Sequence, residues 1–220
     1  MMAKLYMKLT LLVIFISLMS ILDQVEPSSL PESAKTNTMT FIKASCKNTL
    51  YENLCIHSLS KFSSPTIDNP QQLAHIALSV SLSKARNTRT YLNKVANQLK
   101  ALKNNKDYFI VQDCLSQIDD SVDQLDQSIK ELARMSRPNT PEAINDEFLW
   151  HISNVETWVS TALTDASTCV ESFPGHRMSK LKASIRVRAQ NVAQVTSNAL
   201  ALFHGYGIQL STKQLQHLES

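Results

Sequence analysis

Glycine is nearly missing from this sequence. Only Gly175, Gly205 and Gly207 occur in 220 residues. Neither a P-loop nor a dinucleotide fingerprint can be assembled from them, so glycine-built phosphate sites are excluded. The same scarcity argues against an all-β fold, whose hairpin turns draw heavily on Gly. G-x-S-x-G and H-E-x-x-H are both absent. The six histidines, His57, His75, His151, His176, His204 and His217, are scattered. No Glu-x-x-His pair recurs on two segments, which argues against a di-metal bundle site. Neither a cofactor nor a metal is expected, and no N-x-S/T sequon occurs. A formal net charge of +3 is too small to point to nucleic acid. With 43% hydrophobic and 19% charged residues, the composition is globular rather than disordered.

What is present begins with a targeting pattern. Lys4 and Lys8 precede the apolar run Leu9 to Leu22, which Asp23 ends. The run is short for a membrane span and reads as a secretory signal peptide over 1–25, a retained signal anchor being the alternative. Residues 26–37, rich in Pro and Ser, read as a flexible lead-in. Four cysteines follow: Cys46, Cys55, Cys114 and Cys169. An even count behind a signal peptide implies two disulfides. The C-x8-C spacing of the first two does not suit the common zinc knuckles.

The remaining chain reads as helices. Residues 38–61 form two short pieces that Cys46 and Cys55 would tie into a hairpin. Asn69, Pro70 and Gln72 carry an N-terminal capping pattern. A first long helix, with apolar Leu73, Ile76, Ala77, Val80, Leu92, Val95, Leu99 and Leu102, is expected over about 70–103. Its polar stretch Ser83 to Thr90 reads as a solvated face. The second helix shows Leu115, Ile118, Val122, Leu125, Ile129 and Leu132, a heptad seam spaced 3, 4, 3, 4, 3. Asp113, Asp119, Asp120, Asp123 and Asp126 lie off that seam. After Pro138, Thr140-Pro141 is expected to start a third helix, whose seam is Phe148, Ile152, Val155, Val159, Ala162, Ala166 and Cys169. The fourth carries Met178, Leu181, Ile185, Val192, Val195, Ala199 and Leu202 and is expected to stop at Gly205. A polar tail would then cover 205–220.

Four long segments with short connections imply an all-α, up-and-down four-helix bundle over 70–204, preceded by the helical hairpin. Antiparallel second and third helices bring two cysteines level. Cys114 lies 24 residues before Pro138 and Cys169 lies 28 after Pro141. At about 1.5 Å per residue the mismatch is about one turn, so Cys46–Cys55 and Cys114–Cys169 is the preferred pairing.

Catalytic groupings find little support. The acidic row on the second helix could pair carboxylates, but a charged bundle exterior is the ordinary reading. Trp150 and Trp158, about two turns apart, could line a pocket, core or rim packing being favoured. A disulfide-braced bundle without catalytic residues is most often a binding protein.

Three stretches carry a family resemblance: FIKASCKNTLYENLC (Phe41 to Cys55), DCLSQIDDSVDQL (Asp113 to Leu125) and WVSTALTDASTCVESF (Trp158 to Phe173). With SNALALF (Ser197 to Phe203), they resemble the plant invertase and pectin methylesterase inhibitor family, over about Thr38 to Phe203. The resemblance implies an extracellular or vacuolar non-enzymatic protein, an inhibitor domain over 38–204 and disulfides linking the first cysteine to the second and the third to the fourth. It implies one-to-one inhibition of pectin methylesterase or of acid invertase. The Pro-Lys-Phe stretch frequent in invertase inhibitors is absent between the second and third bundle helices, where MSRPNTPEAINDEF stands. VETWVSTALTDASTC is similar to the methylesterase type, which is therefore the preferred target, reached by covering the substrate cleft. A late fifth cysteine found in many methylesterase inhibitors is absent, and the C-terminal tail is atypical.

By the same resemblance, Ser116, Asp120 and Asp123 match positions at the methylesterase interface, with Asp119 adjacent. Thr164 and Asp165 lie near that surface. Thr168 is evenly balanced between contact and a local hydrogen bond beside Cys169. The expected location is the apoplast or cell wall, the vacuole being less favoured, with no membrane association after signal removal. A secreted ligand-binding or signalling bundle is the remaining alternative.

Overall fold

The computed structural model describes residues 32–62, 67–135, 144–173 and 178–218. The signal peptide, Thr140-Pro141 and Pro174-Gly175 lie outside them. Among the described residues the regular elements are all helices, without strands. The helices are α1 (Glu32–Cys46), α2 (Glu52–Leu59), α3 (Pro70–Ala101), α4 (Asn105–Arg134), α5 (Asp146–Glu171) and α6 (Lys180–Leu218), with one 3₁₀ turn at Ser60–Phe62. No described helix is long and apolar enough to cross a membrane.

Asparagine side chains start three of the four long helices. Asn69 Oδ1 accepts the Gln72 N–H at 2.8 Å, with Pro70 in the first turn, as the capping pattern predicts. Asn104 and Asn145 do the same for Asp107 and Phe148. The long third bundle helix begins at Asp146, where Asn145 caps it.

The seams become the core. Each of α3, α4 and α5 packs on the next, and α6 closes the square against α5 and α3. All seven predicted α5 seam residues are buried. On α4, Leu115, Ile118, Val122, Leu125 and Leu132 are buried, while Ile129 is partly so. Both predicted disulfides are present. Ser121 Oγ donates to the Ala162 carbonyl at 2.9 Å, a second fixed level between α4 and α5. The hairpin α1–α2 sits against α3 and α6 of its own bundle. Asn198 clamps it there: its Oδ1 accepts the Tyr51 N–H at 3.1 Å and its Nδ2 donates to the Tyr51 carbonyl at 3.0 Å.

Three expectations are corrected. Helix α1 begins at Glu32, inside the stretch read as a lead-in. Helix α3 ends at Ala101 rather than near Lys103. Lys103 takes φ 54°, and the Asn104 N–H reaches the Leu99 carbonyl while the Lys103 N–H reaches Lys100. That is a Schellman stop with lysine where glycine usually stands, and it leaves Leu102 76% exposed. A left-handed residue with a Cβ costs about 1–2 kcal/mol. Lys103→Gly is expected to raise stability by about 1 kcal/mol after glycine's own entropic cost, read from the urea midpoint.

Helix α6 does not stop at Gly205. It runs through both glycines to Leu218, and neither has positive φ. Phe203, Tyr206 and Leu210 remain buried across this segment, so packing outweighs the glycine stop signal. A Cβ on Gly207 would lie 3.4 Å from Ile152 Cγ2. That is ordinary van der Waals contact, and His204 Nδ1 to Glu156 Oε1 at 2.8 Å joins α6 to α5 at the same level.

Candidate partner-binding face on α4 and α5

Levels along the α4–α5 pair follow from Cys114–Cys169 and Ser121–Ala162. In that antiparallel register Ser116 stands near the level of Ser167 and Thr168, Asp120 near Leu163 and Thr164, and Asp123 near Ser160. Ser116, Asp120 and Asp123 fall at i, i+4 and i+7, one stripe of α4, and all are exposed.

Asp119 leaves that group. Its Oδ1 accepts from Arg89 Nη1 of α3 at 3.1 Å. Asp126 is likewise held, by Arg86 at 2.9 Å and by Lys130. The Lys130 ammonium beside Asp126, then Arg86, keeps its carboxyl below the usual carboxylate range. The stretch Ser83 to Thr90, read as a solvated face, thus commits both of its arginines to α4.

On α5, Thr164 and Thr168 are exposed, and their hydroxyls donate to the Ser160 and Thr164 carbonyls at 3.0 and 2.9 Å. Thr168 therefore makes the local bond considered for it while remaining open to solvent. Asp165 is partly buried and faces α4. Burial pushes its carboxyl above the usual range, and the charge of Asp120 pushes in the same direction. Its Oδ2 is buried and has no hydrogen-bond partner among the described residues. The charge of Asp120 on α4 thus acts on the Asp165 carboxyl of α5.

Other residues of this face were not singled out from the sequence. Thr157, Ser160 and Thr161 are exposed and carry the hydroxyl stripe to the level of Asp123 and, at Thr157, beyond it. The signal was available: 157, 161, 164 and 168 repeat the core spacing of 155, 159, 162 and 166, two positions on. Trp150, expected to pack in the core or at its rim, is 60% exposed and stacks edge-on against His151. Its position between the buried Phe148 and Ile152 turns it off the seam.

At the far end of the same helix pair Glu131 is buried. It meets His151 Nδ1 at 2.6 Å, Arg134 at 3.1 Å and Asn154 at 3.4 Å. The His151 hydrogen bond, above all, holds its carboxyl below the usual range. A depressed folded pKa stabilises above the ordinary glutamate value and loses that contribution as pH falls through the folded one. Glu131→Ala strands His151 and Asn154 and is expected to cost about 2 kcal/mol. That corresponds to about 4–8 °C in Tm. The deficit should narrow on acidification, as the wild type loses the bridge.

Charge is divided between the two halves of the bundle. Helices α3 and α6 contain no Asp or Glu, whereas α4 contains seven and α5 five; α5 has no Lys or Arg. The α4–α5 half is acidic and the α3–α6 half is basic.

Residues 40–202 match the family described as plant invertase/pectin methylesterase inhibitor. The chain belongs to that family. It is a family of inhibitor proteins, so the chain is not an enzyme. Among similar family members, pectinesterase inhibitor 9 of Arabidopsis thaliana is 37% identical over 209 residues, covering 94% of this chain and 99% of that one. A 21 kDa protein of Daucus carota is 41% identical over 167 residues, 76% of this chain and 83% of its own. Pectinesterase inhibitor 11 of Arabidopsis thaliana is 35% identical over 196 residues, 88% and 94%. A crystal structure of a mutant pectin methylesterase inhibitor from Arabidopsis covers 76% of this chain and 96% of its own, with a TM-score of 0.57. At 18% identity that likeness shows the fold alone.

Proposed function

We propose that this family member is a secreted inhibitor of pectin methylesterase that acts in the apoplast. It binds one enzyme per inhibitor and lays the α4–α5 face over the substrate cleft. The observation that carries this reading is the Asp120–Asp165 pair. Two repelling carboxylates, one of them with a buried unpartnered oxygen, are disfavoured in the free protein and are relieved by a cationic side chain from outside. Ser116 and Asp123 flank the pair, and Thr164 and Thr168 add hydroxyls whose oxygens can still accept hydrogen bonds. The printed names of the similar Arabidopsis proteins support the esterase as target. The absent Pro-Lys-Phe stretch points the same way, and acid invertase is the alternative target.

Titrating a plant pectin methylesterase with the oxidised protein tests this. Activity should fall linearly and break near one equivalent. A break at another ratio contradicts the proposed stoichiometry.

Asp165→Asn provides a second check. A raised folded pKa means that the folded chain binds this proton more readily than the unfolded one. Folding therefore carries a penalty when pH exceeds the ordinary aspartate value, and none below it. The variant is expected to be more stable than wild type at neutral pH by about 0.5–1 kcal/mol, the usual size of a surface-charge improvement. The difference should vanish at strongly acidic pH, while inhibition of the esterase weakens. Equal melting curves at neutral pH contradict the repulsion.

A further inference from the structure

A groove of about 730 Å³ runs between α3 and α6, on the half of the bundle facing away from the α4–α5 surface. Lys84 and Asn87 of α3 stand on one wall, and Lys180, Ser184, Arg188 and Asn191 of α6 on the other. Neither helix contributes a carboxylate, since neither contains one. The neighbouring cations Arg86, Arg89 and Lys182 are neutralised by Asp126, Asp119 and Asp107 of α4. Lys84, Lys180 and Arg188 form no ion pair among the described residues. Their positive field in the groove is uncompensated.

The groove is also held in shape. The Arg188 guanidinium lies over the Tyr91 ring, 4.2 Å from its centroid, and the Tyr91 hydroxyl bonds Ser184 Oγ at 3.2 Å. This fixes one cation and joins the two walls, lowering the ordering cost of binding. Amide and hydroxyl donors alternate with the cations, and Val187, 64% exposed, offers an apolar patch at the rim. Carboxylates spaced along a chain of hydroxylated, apolar-faced rings match this combination.

We propose that the α3–α6 groove binds a uronate polysaccharide chain through its free carboxylates. The choice among polyanions rests on the function proposed above, because hydrolysis of pectin methyl esters leaves such carboxylates. The inhibitor would then be retained where de-esterified chain accumulates, with its α4–α5 face still open to the enzyme.

The test measures binding of the full oxidised chain to oligogalacturonate by calorimetry at several salt concentrations, beside a highly methylesterified oligomer. Expected are salt-sensitive binding to the free acid, little binding to the ester, and affinity weakened about tenfold or more in Lys84→Gln/Lys180→Gln/Arg188→Gln. The triple variant should keep its circular dichroism and still form the esterase complex on size-exclusion chromatography without pectin. A charge-keeping Lys84→Arg/Lys180→Arg variant should bind like wild type. Equal affinity for acid and ester, no binding, or an unaffected triple variant each overturns the proposal. An oligonucleotide of matched charge binding as tightly overturns the assignment to uronate. Failure of the wild type to complex the esterase is a separate readout and sinks only the function proposed above.

Discussion

Cys114→Ala/Cys169→Ala is expected to lower the unfolding free energy by about 4 kcal/mol, because the bridge closes a 55-residue separation. For a domain of this size that is a fall of about 8–16 °C in Tm. The bridge joins α4 to α5 at the level of Ser116 and Thr168, so its loss also loosens the register of the proposed contact face. Cys46→Ala/Cys55→Ala closes a separation of only 9 and is expected to cost about 2.5 kcal/mol. That loss should fall on the hairpin, which Asn198 still holds by its two hydrogen bonds. Thermal unfolding followed by circular dichroism separates the two. Equal losses contradict the loop-length account.

The second large effect concerns binding rather than folding. Asp120→Lys is expected to raise the inhibition constant against pectin methylesterase by about a hundredfold or more. The variant removes a carboxylate from the centre of the face and places a like charge before the partner's cation. It also relieves the repulsion of Asp165, so Tm should hold or rise. Asp120→Ala and Asp123→Ala should each weaken inhibition less, again without loss of fold. Asp119→Ala is the contrast, since Arg89 already occupies that carboxylate and an exposed ion pair is worth about 1 kcal/mol or less. Its inhibition constant should stay within a few-fold of wild type. An Asp120→Lys variant that inhibits normally moves the contact face elsewhere.

Much of the fold was legible because heptad spacing and burial are the same fact seen twice. Phe148 to Cys169 repeats 4, 3, 4, 3, 4, 3 in sequence and is buried at each of those positions. Helix ends were less legible. Lys103 adopts the left-handed stop without the expected residue, and Gly205 lacks the stop it suggested, because Phe203, Tyr206 and Leu210 are paid for their helix by tertiary packing. The candidate site was legible as a stripe but not in its electrostatics. Asp119 and Asp120 are neighbours in sequence, yet one pairs with Arg89 while the charge of the other acts on Asp165. Only the placement of α3 and α5 around α4 separates them. The basic character of α3 and α6 is hidden in a net charge of +3, because the acids of α4 and α5 nearly cancel it.

The most direct test of the account is a paired titration of the oxidised protein against a plant pectin methylesterase and a plant acid invertase at mildly acidic pH. The account predicts saturable loss of esterase activity near one equivalent, with invertase untouched. Loss of invertase activity alone, with the esterase fully active, would contradict it.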